Sequence, residues 1–296
     1  MLVSIIMSAY NGEKHIKEQI DSVLAQTISD FELLICDDCS SDTTYTILQQ
    51  YALKDSRVQI FKNPSNQGYY RTFEKLLYHC KGDYIAFCDQ DDIWMPNHIE
   101  LLLKAIGTKS LAFGNCILVD KDGRDLGMTV QYQEGMDTVP KNNLGWARTS
   151  FLYRNPANGM AMLFNRDILK YALPFPKISF HDIWIICLCS MLNGISYVEE
   201  PIVKYRRLDT SITGLRTTRR RKFTHVLWSY LNQDRSIVAQ VILNRVPDLS
   251  LKRVSFLKRV IKMIERNNNR KGRFFNRMYL LSHYYSIFNC SPLRWK

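Results

Sequence analysis

Tyr84-Ile85-Ala86-Phe87-Cys88-Asp89-Gln90-Asp91-Asp92-Ile93-Trp94-Met95-Pro96 is a short apolar run that ends in three carboxylates within four residues. An unbroken apolar run of this length, bounded by polar residues, reads as a strand buried on both faces. Upstream the same pattern recurs: apolar runs at 2–8, 31–36 and 58–61 predict strands, and helical patterns follow them at 13–27, 43–51 and 70–79. In the first of those helices Ile16, Ile20, Val23 and Leu24 share one face at helical spacing. Pro96 is expected to open a further helix at the first helical position, where its missing N–H costs nothing. Repeated βα units of this length predict an α/β fold with a mostly parallel, Rossmann-like doubly wound sheet and helices on both faces.

Such sheets bind ligands beyond the carboxyl ends of their strands, so the loops at 9–12, 37–42, 63–68 and 89–94 carry the candidate chemistry. Two of them are acidic. Carboxylates packed as closely as Asp89, Asp91 and Asp92 repel one another, and a divalent cation offsets that repulsion. A hard ion with oxygen ligands also suits a pyrophosphate group. An Asp-rich surface turn is the plainer account of the same residues. In the run Asp37-Asp38-Cys39-Ser40-Ser41-Asp42, Ser40, Ser41 and Asp42 are expected to cap the next helix. Capping leaves the two consecutive acids unexplained, and Asp38 could accept a hydrogen bond from a nucleobase ring N–H.

Composition narrows the field. The 296 residues are 46% apolar, enough for one large core or a core with a smaller appended helical region. The eight cysteines are scattered, several within apolar runs, as in a reducing compartment. Cys36-x-x-Cys39 has no second pair spaced to complete a zinc site. The apolar start at 2–7 runs into Asn11, Gly12 and Glu13 rather than a cleavage site, and the longest apolar stretch, 183–192, falls short of the roughly 20 residues that cross a bilayer. A cytoplasmic protein, neither secreted nor membrane-spanning, is therefore expected, with a peripheral place at the inner face of the membrane left open to its basic C-terminal region.

The net charge of +12 is unevenly placed. Residues 216–296 hold 19 Lys and Arg against three acids, a balance of +16, whereas the 21 bases and 25 acids of residues 1–215 leave −4. Two apolar stripes follow residue 214. One comprises Phe223, Val226, Leu227, Tyr230 and Leu231, and the other Val254, Leu257, Val260, Ile261 and Ile264, with Lys252, Lys258, Arg259, Lys262 and Arg266 opposite the second. This face suits a solvated helix, an anionic membrane surface or, with less support, nucleic acid, since no reading-helix motif or aromatic-interleaved groove accompanies the charge. Between the two parts, 111–119 reads as a strand, 120–123 as a turn, 131–158 as poorly patterned, 181 onward as a helix, and 195–198 and 202–205 as two strands.

Taken in order, Ser4-Ile5-Ile6-Met7-Ser8-Ala9-Tyr10-Asn11, Ile20-Asp21-Ser22-Val23-Leu24-Ala25-Gln26-Thr27, the Asp37-Asp38 loop, Asn66-Gln67-Gly68 and Gly82-Asp83-Tyr84-Ile85-Ala86-Phe87 before the acidic cluster resemble the family 2 glycosyltransferases of the GT-A fold. The wording Asp89-Gln90-Asp91-Asp92-Ile93-Trp94 is most similar to the rhamnosyltransferase-like branch that builds bacterial surface polysaccharides. The resemblance is dense over about residues 3 to 100. It implies that Ala9, Tyr10 and Asp38 hold a pyrimidine base, that Asp89 lies near the donor ribose and shares the metal with Asp91, the principal ligand of Mn2+ or Mg2+, and that UDP- or dTDP-sugars are donors.

His181-Asp182-Ile183-Trp184 resembles the branch's His-Asp-Trp-Trp motif, whose acid is the expected base for an inverting displacement; here that is Asp182. A helix-capping role for Asp182 is compatible with it. Asn158 and Gly159, with His181 and Trp184, fall on the acceptor side of the resemblance, and Arg206 and Arg207 in a segment that closes over the diphosphate. Leu208 departs from the family pattern, so no C-terminal metal ligand is assigned.

The implied organisation is a glycosyltransferase domain at 1–215, split into a nucleotide-sugar half at 1–100 and an acceptor half at 101–215, followed by a basic helical region at 216–296. The implied reaction passes a hexose such as rhamnose, glucose or galactose to a hydroxyl of a glycan or lipid-linked oligosaccharide, in capsule, O-antigen or cell-wall polysaccharide synthesis. A sugar-phosphate nucleotidyltransferase is the competing enzyme class, but it needs a Gly-rich loop with Arg and Lys after the first strand, where Ser8-Ala9-Tyr10-Asn11-Gly12 stands instead. A nucleic-acid-binding protein driven by the basic tail explains the acidic loops poorly, so no nucleic-acid partner is expected.

Overall fold

A computed structural model describes residues 1–133, 139–140, 142–208, 232–266, 276, 279 and 280. The chain forms two compact units that interleave in sequence. The first takes Met1–Val130, Ala157–Leu169 and Ser196–Thr218, and the second Gln131–Pro156, Lys170–Ile195 and Arg219–Lys296.

In the first unit β1 (Val3–Ala9), β2 (Phe31–Asp37), β3 (Val58–Lys62) and β4 (Tyr84–Cys88) alternate with α1 (Ile16–Leu24), α2 (Thr44–Lys54) and α3 (Tyr69–Leu77). All four strands are parallel, in the spatial order β3-β2-β1-β4. Side chains alternate across a strand. Val3, Ile5 and Met7 accordingly join Phe31, Leu33, Ile35 and the Ile16, Ile20 and Val23 face of α1 in one apolar cluster. On neighbouring positions Phe87 packs edge-on against Phe73 of α3 at 5.1 Å between ring centroids. Each fully buried Ile, Leu or Phe contributes about 1.5–3 kcal/mol.

Register decides where the loops emerge. Ala9 is level with Asp37, Asp37 with Lys62, and Met7 with Cys88. The four parallel strands therefore finish along one edge, and the loops after them lie side by side.

The sheet continues through β5 (Ile93–Trp94), β6 (Leu111–Val119), β7 (Asp125–Thr129), β8 (Met162–Asn165) and β9 (Ile195–Arg206), with α4 (His98–Ile106) between β5 and β6. Among the described residues the nine strands run β3-β2-β1-β4-β8-β6-β9-β5, with β7 on β6. Here β8 is antiparallel to β4 and β6, and β5 to β9. Two local expectations change. The strands expected at 195–198 and 202–205 are one strand that carries Pro201 through a segment where Glu199 and Glu200 are exposed, a position at which a strand tolerates a residue with no N–H. Pro96 lies before α4 rather than within it, and Asn97 takes the position ahead of the first helical residue, His98.

Among the described residues the further α-helices are α5 (Val130–Gln133), α6 (Asn143–Arg148), α7 (Leu169–Ala172), α8 (His181–Met191), α9 (Gln233–Arg245) and α10 (Leu251–Arg266). In the second unit α6 runs on into a π-helical turn, Thr149–Tyr153, every residue of which is buried. That explains why 149–153 lacks a legible period: a helical segment buried on all sides has no amphipathic stripe. On α10 Phe256, Leu257, Val260 and Met263 are buried while Lys252, Lys258, Arg259, Lys262 and Arg266 are exposed. The stripe at 223–231 lies outside the described residues. Among those described, no helix is long and apolar enough to cross a membrane.

Candidate active site

The first unit's strand-end loops are tied into one frame by hydrogen bonds. In the loop after β1, the Asn11 N–H donates to Ser40 Oγ at 3.0 Å, Asn11 Oδ1 accepts from the Ser41 N–H at 2.9 Å, and the Gly12 N–H donates to Thr44 Oγ1 at 2.8 Å. Asn11 (φ 47°) and Cys39 (φ 67°) both occupy the left-handed region that L-residues seldom adopt, in two loops bonded to each other. Ser40 and Ser41 thus meet Asn11 instead of capping α2. Asp42 Oδ1 alone of the expected three takes a first-turn amide, that of Thr44, at 2.9 Å.

Asp38 is buried, and its carboxylate organises the loop after β3. Oδ1 accepts from Asn63 Nδ2 and the Gln67 N–H, and Oδ2 from the Gly68 N–H, each at 2.8 Å. Gly68 presents that N–H from a left-handed backbone (φ 80°). Three of the roughly four acceptor positions of this carboxylate are therefore filled by protein. Ala9 is buried and its carbonyl accepts from the Asp38 N–H at 2.7 Å, while the neighbouring Tyr10 is 46% exposed.

The acidic loop after β4 is held from beneath by Arg206, at the end of β9. The Arg206 N–H donates to Asp92 Oδ1 at 2.8 Å and Arg206 Nε to the Asp91 carbonyl at 2.8 Å. Its Nη1 reaches the Lys121 carbonyl at 3.0 Å and its Nη2 pairs with Glu18 of α1. Where a diphosphate contact is expected from Arg206, the structure shows a buried strut whose donors face protein acceptors. Arg207 is buried beside it, with its guanidinium 4.7 Å from the centre of the Tyr205 ring.

Asp89 and Asp91 are half-buried and Asp92 is fully buried. Burial pushes the Asp91 carboxyl above the usual carboxylate range, and Arg206 opposes this. Asp92 is pushed up further, first by burial and then by the charges of Asp91 and Asp89. Its Oδ2 is buried with no hydrogen-bond partner. Carboxylates in this condition fit a hard divalent cation, which restores their charged form. Among the described residues no group of three or more His, Cys, Asp or Glu side chains is arranged to hold a metal ion. Two carboxylates would suffice where phosphate oxygens and water complete the shell, as is common for Mg2+.

Asn158 and Gly159 also belong to the first unit, where the Ala161 N–H bonds the Asn158 carbonyl at 3.1 Å in the turn leading to β8.

In the second unit Asp182 stands in the first turn of α8, half-buried. Its Oδ2 accepts from Asn155 Nδ2 at 2.8 Å and its Oδ1 from the Ile183 N–H at 2.7 Å. Burial pushes its carboxyl up to about 6, against the pull of the Ile183 amide, Arg235 and Asn155. His181 is buried and pushed down to about 3 by that burial, so its imidazole is neutral near pH 7. Trp184 is a core residue: it is fully buried and its indole Nε1–H donates to the Ala172 carbonyl at 2.9 Å.

Asn155 and Arg235, the neighbours that tune Asp182, and Gln90 and Glu18 in the first unit are not legible in the sequence as site residues. They lie far from their partners along the chain, and Asn155, Arg235 and Glu18 belong to no motif. Only the place of Gln90 inside the acidic run is a signal that could have found one of them.

Comparison with known proteins places this arrangement. The family model described as glycosyl transferase family 2 matches residues 4–169. TuaG of Bacillus subtilis (strain 168), a glycosyltransferase whose name places it in teichuronic acid biosynthesis, is 33% identical over 54% of this chain; that match spans 66% of TuaG, just under two thirds. The Escherichia coli UDP-Glc:alpha-D-GlcNAc-diphosphoundecaprenol beta-1,3-glucosyltransferase WfgD is 37% identical over 72% of this chain and 80% of its own length. Among solved structures, S. aureus TarS 1-349 in complex with UDP-GlcNAc superposes with a TM-score of 0.64 at 19% identity, covering 90% of this chain and 72% of TarS 1-349. At that identity the likeness is one of fold, the GT-A fold.

Proposed function

Because the chain belongs to glycosyl transferase family 2, we propose that it moves a hexosyl group from a UDP- or dTDP-sugar to a hydroxyl of a glycan or lipid-linked acceptor, with inversion, in bacterial surface polysaccharide synthesis. One observation carries the donor side: the level ends of β1, β2 and β4 bring Ala9 and Tyr10, Asp38, and the Asp89–Asp92 loop to a single edge. Tyr10 offers an exposed ring to a pyrimidine, and Asp38 retains one acceptor position for a ring N–H.

Asp89 and Asp91 would hold Mn2+ or Mg2+, and such an ion, when bound, supplies positive charge for the departing diphosphate. Asp182 takes the proton of the acceptor hydroxyl as its oxygen attacks the anomeric carbon and the bond from that carbon to the diphosphate oxygen breaks. A carboxyl raised to about 6 is well matched to accepting that proton, because it is ionised at neutral pH yet more basic than an ordinary aspartate. Asn155 orients it through Oδ2.

The names of relatives support the substrate class. WfgD is named for a UDP-Glc donor and a diphosphoundecaprenol-linked acceptor, and TuaG for a cell-envelope polymer. The exposed cations of α10 suit an anionic membrane at which such an acceptor resides, each worth about 1 kcal/mol near the surface. Liposome sedimentation tests that contact, and binding by the Lys258→Glu, Lys262→Glu double variant equal to that of the unaltered chain overturns it.

The reaction is tested by incubating the chain with a panel of nucleotide sugars, manganese and lipid-linked acceptors. Nucleoside diphosphate release is expected with a UDP- or dTDP-sugar, abolished in Asp91→Ala and Asp182→Ala. Release that survives both changes refutes the assignment.

A further inference from the structure

Gln90 stands between the two acids proposed to hold the cation, yet its amide closes on another loop. Its Oε1 accepts from the Tyr10 N–H at 2.9 Å and its Nε2 donates to the Tyr10 carbonyl at 3.0 Å. Tyr10 presents one donor and one acceptor, and a side-chain amide answers both at once, which neither a carboxylate nor an ammonium group can do.

Gly12 completes the fit. It does not adopt the left-handed backbone that usually calls for glycine. A Cβ there would instead fall on Gln90 Oε1 and lie 2.7 Å from Gln90 Cδ. The glycine is the space that the Gln90 amide occupies. With both backbone polar groups of Tyr10 taken up, the side chain of this residue, which is 46% exposed as a whole, is what it offers a ligand.

We infer that Gln90 is a positioning residue for the nucleoside end of the donor: it locks the Tyr10 backbone to the acidic loop, so that one rigid element presents a ring to the base and carboxylates to the diphosphate side. The inference rests on the nucleotide reading proposed above. Its chemistry predicts a selective effect, because inorganic pyrophosphate has no base to meet Tyr10.

The test is a titration of the full chain with UDP and, separately, with inorganic pyrophosphate, both with manganese. In Gln90→Ala, affinity for UDP should fall roughly 5- to 30-fold, as for the loss of two neutral hydrogen bonds, while pyrophosphate affinity stays within about twofold. Gly12→Ala should reproduce this, because the new methyl meets the far end of a flexible side chain and displaces the amide rather than the backbone. The double variant should be no weaker than Gln90→Ala alone, since the methyl then enters vacated space. Thermal melting of each variant reads the fold separately.

Equal losses for UDP and pyrophosphate, unchanged UDP affinity in Gln90→Ala, or fully additive effects in the double variant would overturn the inference while leaving the nucleotide reading intact. An unaltered chain that binds pyrophosphate but shows no preference for UDP over it overturns both.

Discussion

The strand-end edge of the first unit and the start of α8 in the second both raise carboxyl groups above their ordinary range, but in different company. Asp91 and Asp92 are raised among other acids, and Asp92 feels the charges of Asp89 and Asp91 in addition to its burial. Asp182 has burial as its main cause, and its neighbours, the Ile183 amide, Arg235 and Asn155, all pull it down. A crowded set of acids is relieved by a cation, whereas a solitary raised carboxylate is suited to exchanging a proton near neutral pH. On the proposed reading, one chain separates the handling of charge from the handling of a proton by the neighbours it gives each acid.

The largest effect that bears on this contrast is expected from Asp182→Asn. It keeps an acceptor for the Ile183 amide but removes the proposed base, and kcat should fall roughly 10²- to 10⁴-fold with UDP affinity unchanged. A loss of nucleotide binding instead would place Asp182 with the donor and dissolve the contrast. Next is Arg206→Lys. A lysine cannot reproduce the guanidinium's simultaneous reach to the Asp91 carbonyl, the Lys121 carbonyl and Glu18, so manganese affinity should weaken roughly 10- to 100-fold, read by titration of the ion. An unchanged titration would mean that the strut does not position the acids.

The pH dependence separates the two regions in another way. As the proposed base, Asp182 must be ionised, so kcat should decline as pH falls through about 6. The same raised value acts on stability with the opposite sense. A carboxyl whose folded value lies above its unfolded one favours the fold below the unfolded value, and that contribution is lost as pH rises through about 6. Denaturation of Asp182→Asn should therefore show a flatter stability profile between about pH 4 and 6 than the unaltered chain. The smallest effect belongs to Trp184→Phe, which deletes the bond to the Ala172 carbonyl: about 1 kcal/mol of stability, measured by chemical denaturation, with little change in KM for acceptor. A large KM change would return Trp184 to the acceptor side.

Much of the strand-end edge is readable from the chain because it depends on local pattern. Apolar runs ending in Asp37-Asp38 and Asp89-Gln90-Asp91-Asp92 predict strands followed by acidic loops, and β2 and β4 end where those runs end. The start of α8 at His181 is readable for the same reason. Gln90, Glu18, Asn155 and Arg235 are not, because their roles arise from partners 80, 188, 27 and 53 positions away in the sequence. Arg206 stands out in the sequence, but its partners do not. A cation near a run of acids and a proposed diphosphate has several satisfying geometries, and only the path of β9 brings its guanidinium beneath the loop.

The order of residues is enough to specify the parallel βα half, the loops that carry acids and the carboxylate opening α8, because hydrophobic period and strand-end chemistry are properties of neighbours in the chain. Long-range packing was needed to establish that β9 is unbroken, that Trp184 is a core residue, that Arg206 is a strut and that Gln90 closes on Tyr10. Those outcomes depend on which distant groups arrive within hydrogen-bond reach, and a side chain cannot show in advance which of several chemically equivalent partners the fold will deliver to it.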